Sequence, residues 1–262
     1  MHPTFEILGL SIPAYWLCTM AGVSVCSVTA LFRHRRFEEL QEVDITNSAA
    51  LLFIGVLIGS KILYILTILP ILIRNRQLLL GDLKLAYEVI GGGMVFYGGL
   101  IGALVTLRLY VRKYHLDSRS FFDYFAPLFP LFHCFGRIGC FLNGCCHGKV
   151  SERFGIAFEN SPSALNGVPY FPIQLVCSLG ELILFFIVRA YEKKHHRSGK
   201  AMVLYLALYA AGRFVIEFFR GDMIRGIWAG LSTSQWISLA ILLTLLIRQY
   251  RAFNRNGASP AA

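Results

Sequence analysis

The sequence predicts an all-α membrane protein, a bundle of about seven transmembrane helices in one integral membrane domain over residues 1–262. Of these residues 56% are apolar and only 15% are charged, whereas soluble domains average about 25% charged residues. Several apolar runs reach the ~20 residues that a helix needs to cross a ~30 Å hydrocarbon core. We expect no cleavable signal peptide, because the first apolar run has no basic segment before it and is too long.

The sequence contains seven apolar runs, and each predicts one transmembrane helix. Near the start of the first run are Pro13 and Tyr15. Proline suits the first turn of a helix and aromatic rings suit the membrane interface, so a helix is expected to begin there. The second carries small residues four apart, which allow close helix contact, and residues 74–88 indicate a loop or a short interfacial helix. The seventh follows Ser and Thr residues that can cap a helix. In order, the runs cover about 8–32, 47–73, 89–111, 121–142, 171–190, 201–219 and 230–247.

The basic residues set the predicted orientation. The connections after the first, third and fifth runs, together with the C-terminal tail, hold more Lys and Arg than the connections on the other side. The positive-inside rule therefore predicts an N-terminus outside and a cytoplasmic C-terminus. These loops also explain the net charge of +10. Because no folded nucleic-acid-binding motif accompanies that charge, we expect no nucleic-acid partner.

Reactive residues concentrate in residues 133–148, at the end of the fourth run. This stretch holds one Arg, two His, four Cys, one Asn and four Gly. Polar groups at the end of a span are costly unless they are satisfied, and glycine lets the backbone approach a ligand closely. We therefore expect a functional site here, toward the outer face in the predicted orientation.

Arginines on two of the runs predict an anion site. Arg213, Glu217 and Arg220 are spaced i, i+4 and i+7 and are expected to share one helix face, with Arg137 approaching from another helix. A guanidinium fork matches phosphate oxygens and stays charged, which favours a phospholipid-headgroup pocket. An ion network that only locks the helices together is the alternative.

Two features of the second and third runs add to this prediction. Lys61 lies at hydrocarbon depth, so we expect a polar cavity or a carboxylate partner for it. The third run begins with five glycines around Tyr97, among them Gly98 and Gly99. Such a stretch is a poor helix start, but it offers backbone N–H groups to an anion.

The separated motifs, taken together, resemble the phosphatidylglycerol–prolipoprotein diacylglyceryl transferase family over nearly the whole chain. The resemblance implies a multi-pass enzyme of the bacterial inner membrane that needs no cofactor. Its partners would be phosphatidylglycerol, a prolipoprotein signal peptide with a lipobox cysteine, and membrane lipids. The diacylglyceryl group would pass to the cysteine thiol and leave glycerol 1-phosphate. The motifs are Gly98-Gly99-Leu100-Ile101-Gly102, Gly136-Arg137-Ile138-Gly139 with Asn143-Gly144, Gln174-Leu175, and Arg213 with Glu217 and Arg220.

The resemblance also implies roles for individual residues, with Arg137 and Arg213 matching the arginines that bind the lipid phosphate. Glu217 matches the acid that follows the second arginine. Lys61 joins the set because it lies at hydrocarbon depth. The predicted substrate-binding residues are Tyr15, Lys61, Gly98, Gly99, Arg137, Asn143, Gly148, Arg213, Glu217 and Arg220.

Three positions depart from the family pattern: Tyr97 stands where a histidine base is usual, Cys140 where an Asn is usual, and Cys145 where a Glu is usual. Histidine, with an ordinary pKa of ~6.5, suits a base near pH 7 better than tyrosine at ~10. His147 and His133 are the replacement candidates for the base, and a structural role for either is the alternative.

The clustered cysteines allow several interpretations. Cys145 and Cys146 beside a cation would have lowered pKa values and be reactive thiolates. Together with Tyr97, at the position of the usual base, and its replacement candidate His147, they are the predicted catalytic residues. With Cys140 they could bind zinc, but the usual two-to-four-residue spacing is absent and adjacent cysteines chelate poorly, so we predict no metal. Cys18, Cys26 and Cys177 are expected to be small buried apolar residues.

Two other functions stay open from the residues alone. The same scaffold could be a membrane thiol oxidoreductase with Cys145 and Cys146 as its redox pair. It could also be a non-enzymatic phospholipid-binding protein, which intramembrane arginines permit. Maleimide labelling before and after reduction distinguishes the first, and turnover of phosphatidylglycerol excludes the second.

Overall fold

A computed structural model of the protein describes residues 4–7, 10–37, 39–91, 93–159, 161, 164–195, 198–221 and 227–257. Most of these residues are helical. The helices are α1 (Ala14–His34), α2 (Glu42–Arg74), α3 (Arg76–Gly81), α4 (Leu83–Gly91), α5 (Phe96–Lys113), α6 (Ser118–Phe125), α7 (Leu128–Leu142), α8 (Ile173–Lys194), α9 (Ala201–Ile216) and α10 (Thr233–Gly257), with a 3-10 turn at Glu217–Phe219. Three antiparallel pairs are β1 (Thr4–Ile7) with β2 (Leu10–Pro13), β3 (Ile156–Ala157) with β4 (Pro169–Tyr170), and β5 (Ile227–Trp228) with β6 (Leu231–Ser232).

Five helical segments among the described residues are long and apolar enough to cross a membrane: α1, α2, α6 with α7, α8, and α9 with its 3-10 turn. The bent pair α4 and α5 would be a sixth. Many large apolar side chains on α1 and α2 are exposed, for example Leu31, Phe32 and Ile58, as expected where lipid replaces water. The fold is therefore a multi-pass helical membrane protein, while the count of seven spans and the orientation of the termini stay predictions.

The structure corrects several predicted boundaries. The three short strand pairs were not part of the all-α prediction, and the first of them occupies positions where the run beginning at residue 8 predicted helix. The fourth run divides at Pro127, which immediately precedes α7, because proline has no N–H to donate within a helix. The third run divides between α4 and α5, beside its glycines.

One compact unit is built on α1, α7, α8 and α9, with α10 from Ser234 onward. In it α7 packs against both α1 and α8, and α8 packs against α9. Glycines let α1 and α7 approach closely: a Cβ atom added at Gly22 would lie 2.9 Å from Cβ of Phe135, and one added at Gly139 would lie 2.9 Å from Cδ2 of Tyr15. The positions of residues 133–148 are therefore fixed against two neighbouring helices.

The basic end of α1 is anchored in the same unit by a buried arginine. Arg33 is 1% exposed, and its guanidinium donates to the backbone carbonyl of Tyr124, to that of Asp123 at 3.1 Å and to Oε2 of Glu192 at 3.4 Å. It also lies 5.1 Å from the centre of the Tyr124 ring, a favourable cation–π contact. This network ties α1 to α6 and α8.

A buried carboxylate starts α9. Oδ2 of Asp123 accepts from N–H of Gly199 at 2.8 Å, and Oδ1 accepts from N–H of Ala201 at 2.9 Å. Free N–H groups at a helix start need such acceptors, and α9 has no capping side chain of its own. Asp123 therefore positions the helix that carries Arg213.

The second unit contains α2 to α5, and α2 packs along α5. The contact is made by glycines on both helices. A Cβ atom added at Gly59 or Gly98 would overlap the carbonyl oxygen of the other residue, and one added at Gly102 would overlap the carbonyl oxygen of Gly55. Small residues let the two backbones touch, which confirms the close helix contact that the spacing in the second run predicted.

We expect Gly102→Ala to lower the free energy of unfolding by about 1–3 kcal/mol, because the new methyl group forces the two helices apart. Gly180→Ala on α8 is the matched control: nothing lies within 4 Å of its added Cβ atom, and alanine is the better helix former. Thermal unfolding in detergent measures both. Equal stability of the two variants would contradict the proposed helix contact.

Candidate active site

The centre of the candidate site is a turn that follows α7. The helix closes with hydrogen bonds from N–H of Gly144 to the carbonyl of Phe141 and from N–H of Cys145 to that of Cys140, 3.0 and 3.1 Å long. Gly144 has a φ of 68° and Cys146 a φ of 58°. A positive φ is unusual for a residue other than glycine, and such strain clusters at functional sites. The chain thus reverses directly over the end of α7.

Two neighbouring segments hold this turn in place. Nε2 of Gln174, which is fully buried, donates to the carbonyl of Cys145 at 2.8 Å. N–H of Gly148 donates to the carbonyl of Phe171 at 2.9 Å, and a Cβ atom added at Gly148 would lie 2.7 Å from that oxygen. Gly148 also pairs with Arg220 in an isolated antiparallel bridge. Glycine at position 148 is therefore required by the close approach of two backbones.

Three thiols meet at the turn. The Sγ atoms of Cys140, Cys145 and Cys146 all lie within 4.8 Å of one another, and each residue is partly exposed. Hydrogen bonds from the other two thiols, with the nearby cations of Arg220 and Arg137, hold the pKa of Cys146 well below its ordinary value. The direction agrees with the predicted lowering for this residue, but hydrogen bonds from thiols, and not the cations, are its main cause.

Cys145 differs from the prediction. Its hydrogen bond with Cys140 lowers the pKa of its thiol, as does a weaker one with Asn143. Its hydrogen bond with Cys146, burial and the negative charge on Cys146 outweigh these effects and leave the pKa raised. Two adjacent thiols cannot both be ionised easily, because like charges disfavour each other at this distance.

Arg137 lies on α7 one turn before the end of the helix and is 8% exposed. Its Nη2 lies 3.6 Å from Sγ of Cys177. Its Nε is buried without a hydrogen-bond partner, and among the described residues it forms no ion pair with a carboxylate. A buried cation in this state is costly unless an anion meets it, so the geometry favours an anionic ligand at this position.

Arg213 and Arg220 are arranged around one carboxylate. Oε2 of Glu217 lies 2.5 Å from Nη2 of Arg213 and 4.0 Å from Nε of Arg220, and Nη2 of Arg213 also donates to Oγ of Ser234 at 3.3 Å. The predicted shared helix face is wrong for Arg220, because α9 ends at Ile216 and Arg220 follows the 3-10 turn in extended conformation. The trio keeps one net positive charge.

The two histidines lie in different surroundings. Nδ1 of His133 lies 2.8 Å from Oε1 of Glu181, and both side chains are largely buried. His147 is 6% exposed, its ring centre is 4.0 Å from that of Tyr170, and it borders Phe158. These contacts account for the position of each histidine, and the predicted role of either as a base stays a prediction.

Tyr15 stands in the first turn of α1 and, with 43% of its side chain exposed, packs over Gly139. Its hydroxyl interacts electrostatically with the three thiols and with Arg137. Asn143 is the residue that ends α7. The structure therefore brings together the predicted residues of the first unit, which are Tyr15, Arg137, Asn143, Cys145, Cys146, His147, Gly148, Arg213, Glu217 and Arg220.

The remaining predicted residues belong to the second unit. Nζ of Lys61 donates to the carbonyl of Gly91 at 2.8 Å and lies 5.3 Å from the centre of the Tyr64 ring, so a carbonyl and an aromatic face meet it where a carboxylate or polar cavity was predicted. Tyr97 is 2% exposed. Packing against α2 accounts for Gly98 and for Gly99, where an added Cβ atom would lie 2.5 Å from Oγ of Ser60. Substrate contact by these four residues stays a prediction.

Some residues of the site were missed by reasoning from sequence. Gln174 was noted only as part of a motif, although its buried amide fixes the turn. Glu181, which pairs with His133, was not singled out, although a carboxylate inside an apolar run at hydrocarbon depth signals a partner. Cys177 was expected to be merely apolar and instead contacts Arg137.

The fold and the site together define a multi-pass membrane protein with a cationic, thiol-lined polar site at the end of one of its helices. A family model described as "Prolipoprotein diacylglyceryl transferase" matches residues 3–250, and the chain belongs to this family. The resemblance seen in the motifs is thereby confirmed.

Relatives agree over most of their length. The chain is 35% identical over 240 residues to the phosphatidylglycerol–prolipoprotein diacylglyceryl transferase of Clostridium tetani. The alignment covers 91% of this chain and 92% of the relative. It is also 35% identical to transferase 2 of that name from Clostridium perfringens, over 91% and 90% of the two chains. The Bordetella bronchiseptica relative is 32% identical over 87% of each.

Proposed function

We propose that this protein is a transferase that moves the diacylglyceryl group of phosphatidylglycerol to a cysteine thiol of a prolipoprotein. The observation that carries the proposal is the family match over residues 3–250, supported by relatives of that name aligned over about nine-tenths of both chains. The acceptor is a lipobox cysteine in a signal peptide, and the protein works in the bacterial inner membrane.

The reaction needs a thiolate, an electrophilic glycerol carbon and a stabilised phosphate. The thiolate sulfur forms a bond to the glycerol carbon while the C–O bond to the phosphate breaks, and glycerol 1-phosphate leaves with the electron pair. Negative charge therefore grows on the phosphate in the transition state. A preorganised cation in a site shielded from water stabilises such charge far better than water does.

Arg137 suits this role because it is buried and has no carboxylate partner among the described residues. Arg213 is held by Glu217 and Ser234, and with Arg220 it supplies a second, oriented positive centre. Tyr15 is exposed enough to meet lipid beside the thiols. For Tyr97, Lys61, Gly98 and Gly99 the proposed contact with lipid rests on the sequence alone.

A defined assay tests the proposal. Protein purified in detergent is mixed with phosphatidylglycerol micelles and a synthetic lipobox peptide, and mass spectrometry follows the peptide. We expect the mass of one diacylglyceryl group to be added to the cysteine peptide and none to a control peptide with serine at that position. Release of glycerol phosphate should match the modified peptide mole for mole.

Two results would contradict the function. Binding of phosphatidylglycerol without any turnover would leave only a lipid-binding protein. Loss of peptide thiol through disulfide formation, with no lipid attached, would indicate a thiol oxidoreductase.

A further inference from the structure

The three thiols Cys140, Cys145 and Cys146 form a cluster that the transfer chemistry above leaves unused. Their Sγ atoms all lie within 4.8 Å of one another. Two sulfur ligands of a tetrahedral zinc ion, with Zn–S bonds of about 2.3 Å, lie about 3.8 Å apart. Small side-chain rotations are therefore sufficient to place all three sulfurs on one ion.

The turn removes the objection that adjacent cysteines chelate poorly. Gly144 and Cys146 both have left-handed backbone conformations, so the chain folds back after α7 instead of continuing in a straight line. The sulfur of Cys146 is thereby brought to that of Cys145 and to that of Cys140, which lies six residues earlier on α7. Gln174 fixes this backbone through the carbonyl of Cys145. The strained conformation at a non-glycine residue is a separate observation that points to a functional constraint.

The surrounding charges suit a metal bound by three thiolates. Such a zinc complex carries one net negative charge, and Arg137 is a buried cation with no carboxylate partner in the part of the chain that the structure describes. Arg220 pairs through its backbone with Gly148, two residues after Cys146. Thiolate ligands select zinc, copper(I) and iron–sulfur clusters. Of these, zinc needs no redox partner, and with three protein ligands it keeps one position open for a substrate.

We propose that Cys140, Cys145 and Cys146 bind one zinc ion, whose fourth position takes the thiol of the acceptor cysteine and activates it for alkylation. This inference rests on the proposed transferase function. A thiol that coordinates a metal is deprotonated, and its proton passes to water. The sulfur then forms the S–C bond to the glycerol carbon, the C–O bond to the phosphate breaks, and the phosphate oxygen keeps the electron pair. Nothing is oxidised or reduced.

The proposal links the three departures from the family pattern. Tyrosine at position 97 is a weak base near pH 7, and the cysteines at 140 and 145 supply two of the three metal ligands. Coordination produces the thiolate that a histidine base would otherwise have to generate. The partial exposure of all three cysteines lets the acceptor thiol reach the ion.

The test uses the full-length protein in detergent, with Zn²⁺ and Co²⁺ as probes. We expect one zinc per chain by elemental analysis. After exchange, Co²⁺ should show sulfur-to-cobalt charge transfer and the visible bands of tetrahedral cobalt. Addition of the lipobox peptide should change the visible bands, and the serine peptide should not.

Substitutions locate the site. Cys140→Ser, Cys145→Ser and Cys146→Ser should each lose the cobalt spectrum and lower the transfer rate by about 100-fold, the scale of losing an activated nucleophile. Cys26→Ala is the matched control, because this thiol lies elsewhere on α1, 3.7 Å from the carbonyl of Leu128. It should keep both the spectrum and the rate.

Several outcomes would overturn the zinc site. One is that the protein binds neither zinc nor cobalt. Another is that all three serine variants retain the metal, which would indicate an adventitious ion only. A third is that these thiols form a disulfide, detected by maleimide labelling before and after reduction. Full transfer activity after chelation would overturn the zinc inference and leave the transferase function standing. Cobalt bound through these thiols and responsive to the peptide, without any lipid transfer, would support the site and overturn the transferase function.

Discussion

Replacing Arg137 by alanine is expected to lower diacylglyceryl transfer by about 1,000-fold or more, the scale on which single charge-stabilising groups act in acyl and phosphoryl transfer. The guanidinium is buried and has no carboxylate partner among the described residues, so its charge is free to meet the lipid phosphate. Rates of peptide modification in detergent, measured at saturating phosphatidylglycerol, test this directly.

The same variant should not lose stability, which distinguishes a binding role from a structural one. Alanine removes a buried charge without breaking an ion pair, so the midpoint of thermal unfolding is expected to stay level or rise. Arg137→Lys keeps the charge but not the planar fork and should recover only part of the rate. Arg112→Ala, at an exposed position in the last turn of α5, is the control and should be fully active. Normal rates in Arg137→Ala would refute the phosphate-binding assignment.

The opposite pattern is expected at Arg33, where alanine should lower the free energy of unfolding by about 3 kcal/mol or more. The substitution removes the donor to two backbone carbonyls and to Glu192, all of them buried. Glu192 keeps Arg189 as a second partner, so the loss comes chiefly from the carbonyls left without a donor. Thermal unfolding in detergent is the measurement.

Arg36→Ala is the control for this experiment, because Arg36 is exposed three residues further along. It should unfold at the wild-type temperature. Folded Arg33→Ala protein should still modify the peptide, since Arg33 takes no part in the proposed chemistry. A variant as stable as the wild type would show that the network contributes little.

The sequence was most informative where a pattern depends on neighbours along the chain. The i, i+4 spacing of Arg213 and Glu217 predicted a shared helix face, and the structure pairs the two side chains. Small residues four apart predicted a close helix contact, which the structure has between α2 and α5. The same spacing argument was wrong for Arg220. Helical spacing gives no sign that α9 stops at Ile216 or that Arg220 pairs with Gly148, a residue far away in the sequence.

Contacts between distant segments could not be read from the sequence. Nothing local indicates that Gln174 reaches the carbonyl of Cys145 or that His133 faces Glu181. The cysteine cluster is the clearest case, because spacing rules assume ordinary backbone and Cys146 departs from it. Family motifs identified the residues of the site, and tertiary contacts decided how they are oriented.

The network at Arg33 has a consequence for how the protein is made. Its acceptors lie 90, 91 and 159 positions later in the chain. During synthesis from the N-terminus, the first helix leaves the ribosome long before Glu192 does, and its arginine must meanwhile stay at the aqueous surface or with the insertion machinery. Final seating of the first helix therefore waits for the eighth, which makes assembly of this unit a late event in biogenesis.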